Sequence, residues 1–340
     1  MPESYKVGII GAGRIGRIHI ENLVYQIPNV TLKTIADIHI TPELNQWINN
    51  LGNLKITHTP EEIFEDEEID AVIIASSTDT HALFIQKAAK AKKHIFCEKP
   101  IDTNISRIEH TLEMTEEEEI KLMIGFNRRF DPDFRSAYEV VKKGEIGTPH
   151  IIKITSRDPA PPPRDFIKKS GGLFADMTIH DWDMACFLSQ SEVVEVYASG
   201  GVLIDPEIAK LGDIDTAVSM LKFSNGAFGI IDNSRQAVYG YDQRIEVFGS
   251  KGCIMVDNKP VTNLKIFTEK ETKEDKIPYF FLERYKQSYI NELRYFFNCL
   301  REGISPRPNG DDGLKNIIIT RAAQKSFEEK RPVKISEIIP

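Results

Sequence analysis

From Tyr5 to Phe126, short apolar runs alternate with stretches of helical periodicity. Residues 5–10 (YKVGII), 30–36, 71–75, 93–97 and 121–126 have the length and composition of buried strands. Amphipathic patterns lie between them, one running to about Tyr25 and another to about Lys90. Thr41-Pro42-Glu43 and Thr59-Pro60-Glu61 repeat one device, a capping threonine with proline at the first helical position. Strand and helix in alternation predict a parallel, doubly wound α/β domain of Rossmann type. Past Phe126 the period changes. A helix opens at Asp131-Pro132 and runs to about Lys143. Strand-like runs then cover 150–156, 193–204, 216–223, 227–233, 244–248 and 264–268, with a hairpin turn at Ser224-Asn225-Gly226. Strands in succession predict an α+β domain with a large, mainly antiparallel open sheet. Two long helical patterns, about 282–301 and 311–330, close the chain. The expected division is residues 1–126 and residues 127–340, with the final helices able to return to the first domain.

Composition narrows the class. The chain has 340 residues, 41% hydrophobic and 28% charged, with a formal net charge of −8. That balance argues against a general nucleic-acid surface, which needs clustered Lys and Arg. No apolar run reaches the ~20 residues of a membrane span, and no basic leader precedes the first strand. Cys97, Cys186, Cys253 and Cys299 are widely spread, with no paired spacing. They read as reduced thiols of a cytoplasmic protein. No His/Cys spacing suggests a metal.

The chemistry begins at Gly11-Ala12-Gly13-Arg14-Ile15-Gly16, which follows a strand and opens a helix. This is the dinucleotide fingerprint in its required setting. A pyrophosphate would rest on the helix N-terminus, against Gly11, Gly13, Arg14 and Ile15. Asp37 ends the second strand, 21 residues beyond Gly16. A carboxylate there accepts from the ribose hydroxyls and repels a 2′-phosphate, so NAD is expected over NADP; a turn or cap role is the alternative. Ser76, Thr78 and His81 follow the 71–75 strand, at the edge where such sheets bind ligands. They read as cofactor contacts, or as helix capping and a packed histidine. Glu98-Lys99-Pro100 ends the next strand, where Glu98 and Lys99 would lie near the nicotinamide.

In Gly171 to Leu188, GGLFADMTIHDWDMACFL, Asp176, His180 and Asp183 are spaced by four and three. One helix would place all three near one face. Buried carboxylates and an imidazole are costly unless paired or used. Either a catalytic group or a hydrogen-bonded pin satisfies that condition. Asp183 is assigned to structure. Residues 159–172 form a proline-rich loop with the length of a rim or lid. A cleft between the two domains is the natural place for substrate.

These motifs carry a resemblance. Through GAGRIG, SSTDTH, CEKP, GFNRRFDPDF and DMTIHDWDM the chain resembles the glucose-fructose oxidoreductase / inositol dehydrogenase (Gfo/Idh/MocA) family. GDIDTA, GIIDNSRQAVYGYDQR and EVFGSKG resemble its inositol-oxidising branch. The resemblance implies an NAD-dependent dehydrogenase that oxidises a secondary hydroxyl of a cyclic polyol or sugar to a ketone. It implies Lys99, Asp176 and His180 as the catalytic trio, with Arg128, Tyr239 and Tyr241 near the substrate and Asp158 as a further contact. It implies no metal, and a homotetramer built on the open sheet face. Ser156-Arg157-Asp158-Pro159 departs from the better-known inositol enzymes, which place a histidine thereabouts.

Overall fold

A computed structural model describes residues 4–339. The chain divides into two compact units, residues 1–127 with 287–315, and residues 128–286 with 316–340. The first unit therefore takes in a stretch near the C-terminus as well as the expected N-terminal run.

The first unit carries β1 (Tyr5–Ile10), β2 (Val30–Ala36), β3 (Lys55–Thr57), β4 (Ala71–Ile74), β5 (His94–Glu98) and β6 (Leu122–Gly125). They form one parallel sheet in the order β3-β2-β1-β4-β5-β6. The order reverses at β1 and β4, which is the switch point where such sheets take a ligand. Helices α1 (Arg14–Tyr25), α2 (Pro42–Leu51), α3 (Glu61–Glu65), α4 (Thr78–Lys90) and α5 (Ile105–Glu117) connect the strands. Strands β1 and β4 are buried along almost their whole length, as a sheet covered on both faces requires. Thr41 caps α2 as its sequence predicts, accepting from the Leu44 N–H at 3.2 Å.

A single 3-10 turn, Asn127–Phe130, leads into the second unit, which continues with α6 (Pro132–Lys142), capped by Asp131. Its strands are β7 (Pro149–Arg157), β8 (Val193–Gly201), β9 (Thr216–Phe223), β10 (Phe228–Ser234), β11 (Asp242–Gly249) and β12 (Gly252–Val256). With a later short strand they form a seven-stranded sheet in which only β7 and β10 run parallel. Helices α7 (Arg164–Ser170), α8 (Gly172–Asp176), α9 (Ile179–Ser189) and α10 (Pro206–Lys210) lie in the connections. Residues 264–268 were expected in this sheet. Instead β13 (Lys265–Phe267) pairs with β14 (Thr272–Glu274) as a separate, fully exposed two-stranded ribbon. Helix α11 (Phe281–Arg284) and the long helices α12 (Lys286–Glu302) and α13 (Gly310–Glu329) follow, then β15 (Val333–Lys334), the seventh strand of the large sheet.

One sequence expectation is overturned. The stretch 171–188 is two helices, not one: α8 ends at Asp176 and α9 starts at Ile179. The break is at Met177-Thr178. The Thr178 hydroxyl reaches the Leu173 carbonyl at 3.3 Å and the Asn233 side chain at 2.9 Å. A threonine hydroxyl bonded in this way competes with the helical ladder. The chain restarts with the Trp182 N–H on the Thr178 carbonyl at 2.9 Å.

Candidate active site

In the first unit the glycine turn is built by steric exclusion. Gly11 has φ +97°, and a Cβ there would strike the main chain at Ala75 and Ser76. A Cβ on Gly16 would collide with the Gly11 carbonyl. A Cβ on Gly13 would meet nothing within 4 Å. Gly13 is also the N-cap of α1, with no side chain capping the helix. Gly13 therefore puts no side chain across the first turn of α1, whose opening residues are Arg14 and Ile15. An uncapped helix start behind a glycine is a ready anion site, so the residues present fit the pyrophosphate of a dinucleotide.

Asp37 is tied to the same turn. The Ala12 N–H donates to its Oδ2 at 2.6 Å, and the His39 N–H to its Oδ1 at 2.7 Å. The Ser76 and Thr80 hydroxyls bond each other at 2.7 Å, and Thr80 also donates to the Ser77 carbonyl. Thr78 stands at the first position of α4, whose N-cap Ser77 makes no side-chain cap. His81 is 1% exposed. Its Nδ1 lies 2.7 Å from the Pro100 carbonyl and its Nε2 3.0 Å from the Ser76 carbonyl. Burial holds this imidazole below its ordinary pKa, which favours the neutral ring donating through the shorter contact. His81, in the first turn of α4, therefore ties the start of that helix to the turn after β5. Glu98 is likewise turned inward, with His19 Nε2 2.7 Å from its Oε1. Lys99 is half-buried beside it.

In the second unit Arg128, Asp158, Asp176 and Tyr241 converge. Arg128 bonds Asp181, Ser156 at 3.3 Å and the Tyr241 hydroxyl at 3.5 Å. The Asp158 carboxyl is pushed up to about 7 by burial and by Asp176, against the pull of Arg235 and Arg128. Burial likewise raises the Tyr241 phenol well above its ordinary value. His180 occupies the first turn of α9, one turn beyond the break that follows Asp176. Tyr239 is 51% exposed; its hydroxyl donates to Asp242 at 2.6 Å and accepts from Arg157 at 3.3 Å. Asp183 is held by a forked pair with Arg129 at 2.8 and 2.6 Å.

Several participants escape a reading of the sequence. Arg235 is fully buried, 3.5 Å from Asp176 and 3.2 Å from Asp213. Asp181 also accepts from Asn233 at 2.8 Å. Asp213 accepts from the Leu173 N–H at 2.9 Å, which fixes the start of α8. Asp213, Asn233 and Arg235 lie in the GDIDTA and DNSR stretches, and Asp181 beside His180 in DMTIHDWDM.

Comparison with known proteins decides the family. Residues 5–126 match the oxidoreductase family with an NAD-binding Rossmann fold, and residues 134–255 match the GFO/IDH/MocA C-terminal domain. The chain is 49% identical to myo-inositol 2-dehydrogenase of Thermotoga maritima, across 98% of this chain and 99% of that one. The chain belongs to the Gfo/Idh/MocA family. It is also 41% identical to an inositol 2-dehydrogenase of Rhizobium meliloti, over 97% of this chain and 99% of that one. A scyllo-inositol dehydrogenase of Lactobacillus casei, solved with NAD(H) and scyllo-inositol, superposes with a TM-score of 0.90. It is 31% identical and covers 98% of this chain and 99% of its own. In this Gfo/Idh/MocA chain the GDIDTA marker serves as a brace. Asp215 accepts from three successive N–H groups, Leu203, Ile204 and Asp205, while its own carbonyl accepts from the Arg235 N–H.

Proposed function

We propose that the protein is an NAD-dependent inositol 2-dehydrogenase, oxidising one secondary ring hydroxyl to a ketone. The observation that carries this reading is the end-to-end match, at 49% identity, to a relative of that name. NAD, when bound, supplies the acceptor for the two electrons leaving the carbon. His180 takes the hydroxyl proton, since imidazole is the side chain best matched to proton transfer near neutral pH. Asp176 orients that ring or bonds the adjacent hydroxyl. The Lys99 ammonium stabilises alkoxide charge as the proton leaves. Arg128, Asp158, Tyr239 and Tyr241 are assigned to the remaining hydroxyls; the polar convergence of Arg128, Asp158 and Tyr241 in the second unit supports that role. Asp37 favours NAD, because a carboxylate held by two main-chain N–H groups repels a 2′-phosphate.

The same reading includes assembly as a homotetramer in the cytoplasm. One face of the large sheet is apolar and exposed along successive strands, through Tyr197, Val218, Met220, Phe228, Ile230 and Phe248. Strand register sets Tyr197, Met220 and Ile230 side by side. A contiguous apolar face of this kind marks an association surface, and a second copy of this chain is the proposed occupant. No described helix is long and apolar enough to cross a membrane, and all four cysteines are thiols.

The likeness to the Lactobacillus casei structure favours a second reading, scyllo-inositol as the substrate. Purified protein with myo-inositol, scyllo-inositol and glucose, each with NAD and NADP, separates the two by the absorbance of reduced nicotinamide. Turnover of myo-inositol with NAD is the expected result. Turnover confined to scyllo-inositol selects the second reading, and cofactor binding with no turnover of any polyol overturns both.

A further inference from the structure

Three ionisable side chains of the first unit meet in its interior, next to Lys99 in the chain. They are His19 from α1, Glu98 from the end of β5 and Glu292 from α12, with ligand atoms within 4.8 Å of one another. His19 and Glu292 are completely buried. Neither oxygen of Glu292 has a hydrogen-bond partner, nor has His19 Nδ1. Phe96 and Tyr289 each pack edge-to-face with the His19 ring. The pocket is also sterically fitted to Glu98. A Cβ on Gly125 would meet the Glu98 carboxyl at 2.9 Å.

An ionised carboxylate without a donor is the most costly group a core can hold. Here it would also face the Glu98 carboxylate. Two solutions exist, a cation in the middle or a proton on one acid. The geometry disfavours the cation. His19 Nε2 is committed to Glu98 at direct hydrogen-bond distance, 2.7 Å. A metal-bound histidine also normally donates its other N–H to an acceptor, and His19 Nδ1 has none. The Nε2–H tautomer leaves Nδ1 a bare lone pair, the arrangement that wastes least. The proton then belongs on Glu292, the acid deeper in the core and farther from solvent than Glu98.

We propose that Glu292 is a protonated carboxylic acid sharing a single negative charge with Glu98 and His19, and that this triad is the positioning device for Lys99. The second half rests on the reading of Lys99 given above. Glu98 is held by the His19 ring and fitted against the bare Gly125, with Glu292 facing it within 4.8 Å. Its neighbour Lys99 is thereby fixed at the strand end. On the other side of Lys99, the Pro100 carbonyl is fixed by His81. Burial, reinforced by the Glu98 charge, raises Glu292 well above the usual carboxyl range. A raised pKa means that the folded chain loses stability as pH climbs from the ordinary carboxyl value toward the folded one.

The test uses the full-length protein. At neutral pH the parent should show the infrared carbonyl band of a buried carboxylic acid, shifting slowly in D2O and missing from Glu292→Gln. Glu292→Gln should melt at or above the parent, with the difference growing as pH rises. The alkaline limb of its kcat profile should lie at higher pH than the parent's, with KM for NAD unchanged. Absence of the band in the parent, or a difference in melting that ignores pH, overturns the proton. Stoichiometric metal in the purified parent that Glu292→Gln lacks overturns it in favour of a cation. An unchanged alkaline limb overturns the positioning role. If Lys99→Met keeps full turnover, the reading of Lys99 fails, while the infrared and melting results still decide the triad.

Discussion

The Ala12 N–H donates to Asp37 Oδ2 at 2.6 Å, so the glycine turn and the acid at the end of the second strand are one hydrogen-bonded unit. A carboxylate that accepts from the turn also sets where the ribose end of a dinucleotide can lie. Asp37→Ala removes an acceptor worth about 1.5–3 kcal/mol. NAD affinity should fall about tenfold or more, with discrimination against NADP reduced. Titration of both cofactors by fluorescence checks this, and NADP binding better than NAD in the parent would sink it.

His180→Ala should lower kcat by about 100-fold or more, the usual contribution of a general base. NAD affinity should stay unchanged, because the glycine turn and Asp37 lie in the other unit. Steady-state kinetics with a parallel binding titration separates the two effects. Near-normal turnover would remove His180 from the reaction.

Asp158 gives a pH signature. Its carboxyl is raised to about 7, so the folded chain binds a proton that the unfolded chain has released. Stability carried by that proton is complete below about pH 4, drains as pH rises, and is gone above about 7. Asp158→Asn cannot ionise. Its melting temperature should gain on the parent between those limits and run parallel above them. A constant offset across the whole range would show that Asp158 titrates normally.

The apolar sheet face predicts an assembly defect. Met220→Glu puts a charge at the centre of that face, on a residue 45% exposed in the single chain. The variant should fold with unchanged secondary structure and elute as a smaller species in size-exclusion chromatography with light scattering. A parent that is monomeric at the outset would refute the interface.

Local rules carried the first unit. Gly16 is dictated by a contact within the turn, with the Gly11 carbonyl, Gly11 by its positive φ, and Thr41 caps the helix it precedes. The second unit was less legible because its decisive contacts join residues far apart in the chain. Nothing near Thr178 announces that its hydroxyl bonds Asn233, yet that bond accompanies the break that separates Asp176 from His180. The i, i+4 spacing was read as one face of one helix, and helix periodicity is blind to such a partner. Arg235 and Asp181 were overlooked for the same reason. An arginine and an aspartate look like surface residues until a sheet strand and a second helix enclose them. Glu292 is the extreme case, an acid in the middle of an amphipathic helix whose burial depends on α1 and β5.

His81, in the first turn of α4, donates to the Pro100 carbonyl in the turn after β5. Those segments flank the stretch where a bound dinucleotide would rest, so neither can shift without dragging the other. A ligand pressing on the start of α4 would be felt at Pro100, the residue after Lys99, through a single imidazole. On the role proposed for Lys99, occupancy of the cofactor groove and readiness of the lysine would be mechanically coupled.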